Sequence, residues 1–313
     1  MLPKLQHHAT NAYMVTGQRG LGQGLYALHA AAAMLCENVA ENSAPCGECL
    51  SCRKVYNGTH PDVIVYSKEK GKETYGAKHM RELADDVYIT PNEGRRKIYI
   101  VPHTEDMTVQ SQNVILKTLE EPPSNVTIIL LVSGDSIILP TILSRVYKIT
   151  LNTPSYEEAF EILKKLCEEE KEKAEASEQM MNTALNLSDN SVGLALDYIK
   201  DKNFEKNINF CVDFIEKALG KSEFEFIKLA SNIEKSKESY NSASSLLSKF
   251  LIKIIYKDYR LPGLNPTLIS KVNKAGILKA IEIITQTSLN VAGNANLTLA
   301  VTNMFIKCRE ALN

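Results

Sequence analysis

The sequence predicts an α/β domain built on a parallel sheet and followed by helical regions, and three observations lead there. Short β-branched and aromatic runs alternate with helix-period segments as far as Thr150. A glycine-rich turn, Gly17 to Gly24, separates the first strand from the first helix. After Thr150 the strand signal fades and apolar residues recur only with a helical period. Strands that alternate with helices need crossover connections, which place helices on both faces of the sheet.

The elements follow in order. Ala12 to Thr16 forms the first strand, and a helix runs through Ala27, Ala30, Ala31, Met34 and Leu35. Val63 to Tyr66 and Lys97 to Val101 read as buried strands. Thr108 to Glu121 reads as a helix capped by Thr108, with Val109, Ile115, Leu116 and Leu119 as its apolar positions. Pro122-Pro123 ends it, because proline disfavours the helical conformation of the residue before it. Val126 to Val132 is a further strand, and Leu143 to Ile149 contains the last. A helix then starts at Pro154-Ser155 and passes through Phe160, Ile162, Leu163 and Leu166 into the charged stretch from Glu168 to Lys173, a solvated face or helix end. A small helical region ends near Tyr198, and beyond it Leu246, Phe250, Ile254 and then Ile277, Ile281 and Ile284 recur at helical spacing. This divides the chain into an α/β domain over 1–150, a small helical domain over 151–205 and a C-terminal helical domain over 206–313.

Composition excludes several classes. Hydrophobic residues are 44% of the 313, so a collagen, a disordered tail and a low-complexity array are ruled out. Lys and Arg total 36 against 37 Asp and Glu, and a net charge of -1 leaves no global basic field for nucleic acid. Apolar runs such as Ile128 to Val132 fall far short of the roughly 18 residues of a membrane span. His7, His8 and Asn11 stand where a signal peptide would need an apolar core, so the chain reads as cytoplasmic.

Of seven cysteines, Cys167, Cys211 and Cys308 are scattered as small core residues, whereas Cys36, Cys46, Cys49 and Cys52 crowd together. Two-residue spacings let a turn present successive thiolates to one ion, and Pro45 and Gly47 supply turn chemistry. In a reducing compartment a disulfide framework is disfavoured, and an iron–sulfur cluster has no redox partner in view. The reading is a structural zinc module with no open coordination position. His60 is the alternative ligand, although His60-Pro61-Asp62 also suits the start of the next strand.

The glycine turn has the placement of a phosphate loop without its chemistry. A working loop puts Lys and then Ser or Thr after its last glycine, for phosphate charge and for Mg²⁺. Those positions hold Gln23 and Gly24. The strand ending at Val101 should then supply a carboxylate for the metal, but Pro102-His103 follows, with Glu105 and Asp106 further on. No functional ATP and Mg²⁺ site is expected. The backbone N–H groups could still cradle an anion.

Several segments carry a resemblance: Asn11 to Gly17, the four-cysteine insert, His60-Pro61-Asp62, the run from Gln112 to Pro123 (QNVILKTLEEPP), and Leu139 to Val146 (LPTILSRV). Together they resemble the delta-prime family of bacterial DNA polymerase III clamp-loader subunits, which are of the AAA+ class. The resemblance is dense over residues 9–150, looser around Asn190 to Leu196, and faint near Asn294 to Leu297. It implies an AAA+ domain with a zinc module, a small lid domain and a helical collar. It also implies a stator that does not hydrolyse ATP, joined to tau or gamma motor subunits and a delta subunit in a hetero-pentamer. That assembly would load the sliding clamp onto primed DNA. In the family, an Arg of a Ser-Arg-Cys motif reaches the neighbouring ATP site; Ser144-Arg145 matches, with Val146 in place of cysteine. On its own chemistry, without the resemblance, Arg145 reads as closing a structural ion pair; the resemblance turns the reading to the arginine finger. The chain departs from the family at its short segment before Asn11, at Gly193 where motor subunits place a phosphate-sensing Arg, and at Ser133-Gly134. The rivals are an active motor subunit of the same machine and a DNA-binding finger. The latter lacks a basic recognition helix after Cys52, where only Arg53 and Lys54 are basic before His60.

Overall fold

A computed structural model describes residues 11–38, 44–134, 138–169, 176–230, 236–256, 272–293 and 295–313. The residues before Asn11, the charged stretch beyond Glu169 and Asn294 lie outside the described residues. The chain divides into two compact units, one ending at Thr153 and one beginning at Pro154.

The first unit contains β1 (Ala12–Gly17), α1 (Gln23–Leu35), α2 (Leu50–Tyr56), β2 (Val63–Val65), α3 (Ala77–Asp86), β3 (Lys97–Val101), a 3-10 turn (Thr104–Asp106), α4 (Val109–Glu120), β4 (Val126–Ser133), α5 (Pro140–Leu143) and β5 (Tyr147–Thr150). The five strands are ordered β2-β3-β4-β1-β5, and every pairing is parallel. Side-chain alternation along each strand builds two cores. Ala12, Met14, Tyr99, Val101, Ile128, Leu130 and Val132 face one core with Met80, Ile115 and Ile142. Val15, Ile98, Ile100, Ile129 and Leu131 face the other, against Ala27, Ala30 and Ala31 of α1. Lys97 opens β3 as a buried cation, and Asp86 answers it at 2.9 Å. Thr108 caps α4 as expected, its Oγ1 accepting the Ser111 N–H at 3.1 Å.

The second unit contains α6 (Tyr156–Glu169), α7 (Glu178–Leu187), α8 (Val192–Lys200), α9 (Phe204–Ala218), α10 (Glu223–Ala230), α11 (Lys237–Ile255), α12 (Lys274–Ala292) and α13 (Leu297–Leu312). One apolar core runs through it from Ala159 to Leu312. At its centre Phe214, Phe226 and Phe305 pack with ring centroids 5.0 to 5.1 Å apart. Gly276 lets α12 and α13 close up: a Cβ there would meet the Ala311 carbonyl oxygen at 2.3 Å. Among the described residues no helix is long and apolar enough to cross a membrane.

Candidate functional site: cysteine module, glycine loop and Arg145

The insert between α1 and β2 gathers the four cysteines that the spacing singled out. The Sγ atoms of Cys36, Cys46, Cys49 and Cys52 all lie within 4.8 Å of one another. A tetrahedron with Zn–S near 2.3 Å has edges of about 3.8 Å, so a small contraction would close the set on one ion. The backbone is already arranged for thiolates. The N–H of Cys46 donates to Cys36 Sγ at 3.3 Å, that of Cys49 to Cys46 Sγ at 3.3 Å, and that of Cys52 to Cys49 Sγ at 3.4 Å. Gly47, at φ 76°, makes the turn that aims these amides. Burial tends to raise the Cys49 thiol, but N–H donors from Cys52 and Glu37 outweigh it, and the net value falls to about 7. Burial pushes Cys52 up to about 12, and its thiol contacts the Ala32 carbonyl at 3.9 Å. A bound metal would displace that proton. The residues fit a closed, four-thiolate metal site.

His60 is not part of the cluster. Its buried Nδ1 accepts the Asp62 N–H at 3.1 Å. Asp62 is itself fully buried and has a role that sequence did not disclose. Its carboxylate accepts N–H groups of Asn92, Glu93 and Gly94 at 2.6, 2.9 and 2.6 Å. Burial acts to raise its pKa, but these donors prevail and hold it below the ordinary carboxylate value. The loop so fixed carries Glu93, which pairs with Lys54 of α2 at 2.5 Å. Asp62 therefore buttresses the cysteine module from behind. Its partners are three backbone N–H groups and the Asn92 amide, some thirty positions away, too distant in sequence to be read from it.

The glycine loop leaves β1 and enters α1 with Gly20 and Gly22 at φ 84° and 85°, conformations that favour glycine. Gln23 is buried, and its side chain turns back onto the loop. Its Nε2 donates to the carbonyls of Gly17 at 3.0 Å and Gln18 at 2.9 Å. The position where a phosphate loop carries a cation thus holds a neutral amide, already consumed by the loop's own backbone. A cavity of about 600 Å³ opens beside the loop, lined by Thr16, Gly17, Gln18, Leu21, Lys148 and Thr150 among others.

At the end of β3, Pro102 occupies the carboxylate position, and His103 follows at φ 51°. The next two acids separate. Asp106 pairs with Lys68 at 2.7 Å. Glu105 folds back to the sheet, where its Oε2 accepts the Ser133 N–H at 3.3 Å. Ser133 is in register with Gly17. A carboxylate therefore does lie near the strand ends, reached from the 3-10 turn and engaged with backbone. Gly193 lies in the first turn of α8.

Arg145 follows α5, whose first residue is Pro140 and whose C-cap is Ser144. Its side chain is 32% exposed. The guanidinium pairs with Glu120 at the end of α4, through Nε at 2.8 Å and NH2 at 2.5 Å. NH1 donates to the Thr141 carbonyl at 2.8 Å and Ser144 Oγ at 3.0 Å. The ion pair foreseen as an alternative is thus present, and it is a surface pair between half-exposed groups.

Comparisons with known proteins are consistent with this geometry. Residues 4–155 match the family described as "DNA polymerase III, delta subunit". A DNA polymerase III subunit delta' of Pseudomonas aeruginosa is 34% identical over 178 residues, covering 57% of this chain and 53% of that protein. A DNA polymerase III subunit gamma of Buchnera aphidicola is 31% identical over 206 residues, covering 63% and 55%. The chain spans about half the length of these curated relatives. Among solved structures, a DNA polymerase III gamma subunit-related protein of Thermotoga maritima shares the fold with a TM-score of 0.52 at 18% identity, over 97% of this chain and 96% of that one.

Proposed function

The chain belongs to the clamp-loader subunits of DNA polymerase III, and on that premise we propose that it is the bracing member of the loader ring, one that does not hydrolyse ATP. The observation that carries this reading is Gln23. Its amide satisfies two loop carbonyls and offers no positive charge to a β or γ phosphate. Gly24 has no hydroxyl for Mg²⁺, and Pro102 has no ligand atom. Among the described residues, Glu105 is a carboxylate near the strand ends, and its Oε2 is engaged by the Ser133 amide.

Arg145 acts in trans. Held by an exposed pair worth about 0–1 kcal/mol, it can exchange Glu120 for the γ-phosphate bound by a neighbouring motor subunit. A guanidinium delivered there offsets charge that develops during phosphoryl transfer, an effect of roughly 10³–10⁵ in rate. Cys36, Cys46, Cys49 and Cys52 hold a zinc ion, which supplies structural cross-linking and no open position. The partners are tau or gamma motor subunits and a delta subunit in a cytoplasmic hetero-pentamer. Residues 151–205 form the lid, 206–313 supply the collar contact, and the sliding clamp and primed DNA are met through the complex.

An active motor subunit is the second reading, and the match to a subunit named gamma favours it. Residues 23, 24 and 102 weigh against it. The DNA-finger reading loses further ground because Lys54 is paired to Glu93. The test is the ATPase rate of a reconstituted loader carrying Arg145→Ala in this chain. A loss of about 10³ is expected at the one motor site beside Arg145, read with the other motor sites disabled, and an unchanged rate there would remove the trans role.

A further inference from the structure

Gln112 lies in the first turn of α4 and is 3% exposed. Its Oε1 accepts the N–H of Leu139 at 2.9 Å, and its Nε2 donates to the Met107 carbonyl at 3.3 Å. Leu139 is the N-cap of α5, the four-residue helix that leads through Ser144 to Arg145. No side chain of α5 itself caps that N-terminus. Ile138 and Ile142 sink the segment into the core, but apolar contact is non-directional and sets depth more than register. A buried hydrogen bond is directional and costly to leave unmade.

We infer that Gln112 is a positioning residue for Arg145: it fixes the start of α5 on α4 and so sets where the guanidinium is delivered. This rests on the trans role of Arg145. The segment is strung between two points on one helix, Gln112 at its start and Glu120 at its end. The two holds differ in kind. The Glu120 pair is exposed and must break for Arg145 to reach a phosphate outside this chain. The Gln112 side chain is buried, and its bond to Leu139 persists through that exchange. Once the guanidinium has left Glu120, Gln112 still ties the start of α5 to α4 among the described residues. Small displacements of a group aimed at a reacting phosphate are costly, about 10²-fold for roughly 1 Å.

Two substitutions remove the bond from opposite sides. Gln112→Met keeps the volume and deletes both polar contacts. Leu139→Pro removes the N–H together with the leucine side chain, at a residue whose φ of -57° and ψ of 136° suit proline. Each is placed in the full chain within a reconstituted loader, alone and together with Arg145→Ala, and ATP hydrolysis is measured at saturating and limiting ATP. Either substitution should lower kcat about tenfold or more with little change in KM, and should have no further effect beside Arg145→Ala. A purely structural role would give additive losses in the double variants, and that would overturn the inference. Amide exchange of the full chain gives a second readout: Leu139 should lose protection in Gln112→Met, and unchanged protection would also overturn it. If Arg145→Ala alone leaves hydrolysis untouched, the trans reading fails. If Arg145→Ala slows it while Gln112→Met does not, only the positioning inference fails.

Discussion

The cysteine module and the glycine loop are two turn-rich connections in the same α/β unit, and their side chains are arranged in opposite ways. In both, glycines in left-handed conformations make the turn. In the module backbone N–H groups donate to three of the four gathered sulfurs, and the Cys49 thiol is drawn down to about 7. In the loop the side chain that should complete the site, at position 23, has turned inward and bonded to carbonyls. The path of the backbone is similar in kind, and side-chain chemistry decides whether it becomes a site. On the proposed reading the loop keeps its shape without nucleotide chemistry, because shape rests on glycine and packing whereas that chemistry rests on one cation and one hydroxyl.

Four perturbations would sharpen or break that contrast. The largest effect is expected from the metal. Structural zinc sites contribute about 10–16 kcal/mol of apparent binding energy in isolated finger peptides at neutral pH. Strong chelation should strip about one metal ion per chain and collapse amide protection across residues 44–56. Protection unchanged by chelation, in a chain that carries no metal, would sink the module reading. Next comes the buttress behind it. Asp62→Ala removes the buried carboxylate that accepts the N–H groups of Asn92, Glu93 and Gly94, and denaturant unfolding should show a loss of roughly 2–3 kcal/mol.

The same carboxylate sets a pH dependence. Because its folded pKa is depressed, its stabilisation is complete above the ordinary carboxylate value of 3.8 and is lost as pH falls through the lowered folded value. Acid titration of the wild type should therefore show a component absent from Asp62→Asn, and identical profiles would contradict the assignment. Gln23→Met ranks third. It removes two hydrogen bonds that close the glycine loop and should cost about 1–2 kcal/mol, with no change in nucleotide binding. Lys54→Ala should be nearly silent in melting experiments, at about 0–1 kcal/mol, because its pair with Glu93 is exposed. A large loss there would mean that the module leans on Lys54 more than on Asp62.

What sequence discloses and what it hides divides along physical lines. The strands β1, β3 and β4 were legible because each is a continuous apolar run buried on both faces. The cysteine site was legible because ligand spacing is local. Helices α2 and α3 were not: α2 is seven residues long, and α3 buries only Met80 and Leu83. The loss of Lys at position 23 could be read directly, but the inward turn of Gln23 depends on carbonyl positions that have no letter in the sequence. The role of Asp62 and the return of Glu105 to Ser133 were hidden for the same reason. Arg145 could be singled out, whereas its partner Glu120 lies twenty-five positions away on another helix.

The most direct test of the contrast is calorimetric titration of ATP, and then ADP, into the purified chain with Mg²⁺ present and its metal content read from the same sample. The expected result is no ATP binding in a chain that carries about one zinc, which is a filled module beside a closed loop. Tight, Mg²⁺-dependent ATP binding would contradict it, and would make Gln23 and Pro102 part of a working nucleotide site.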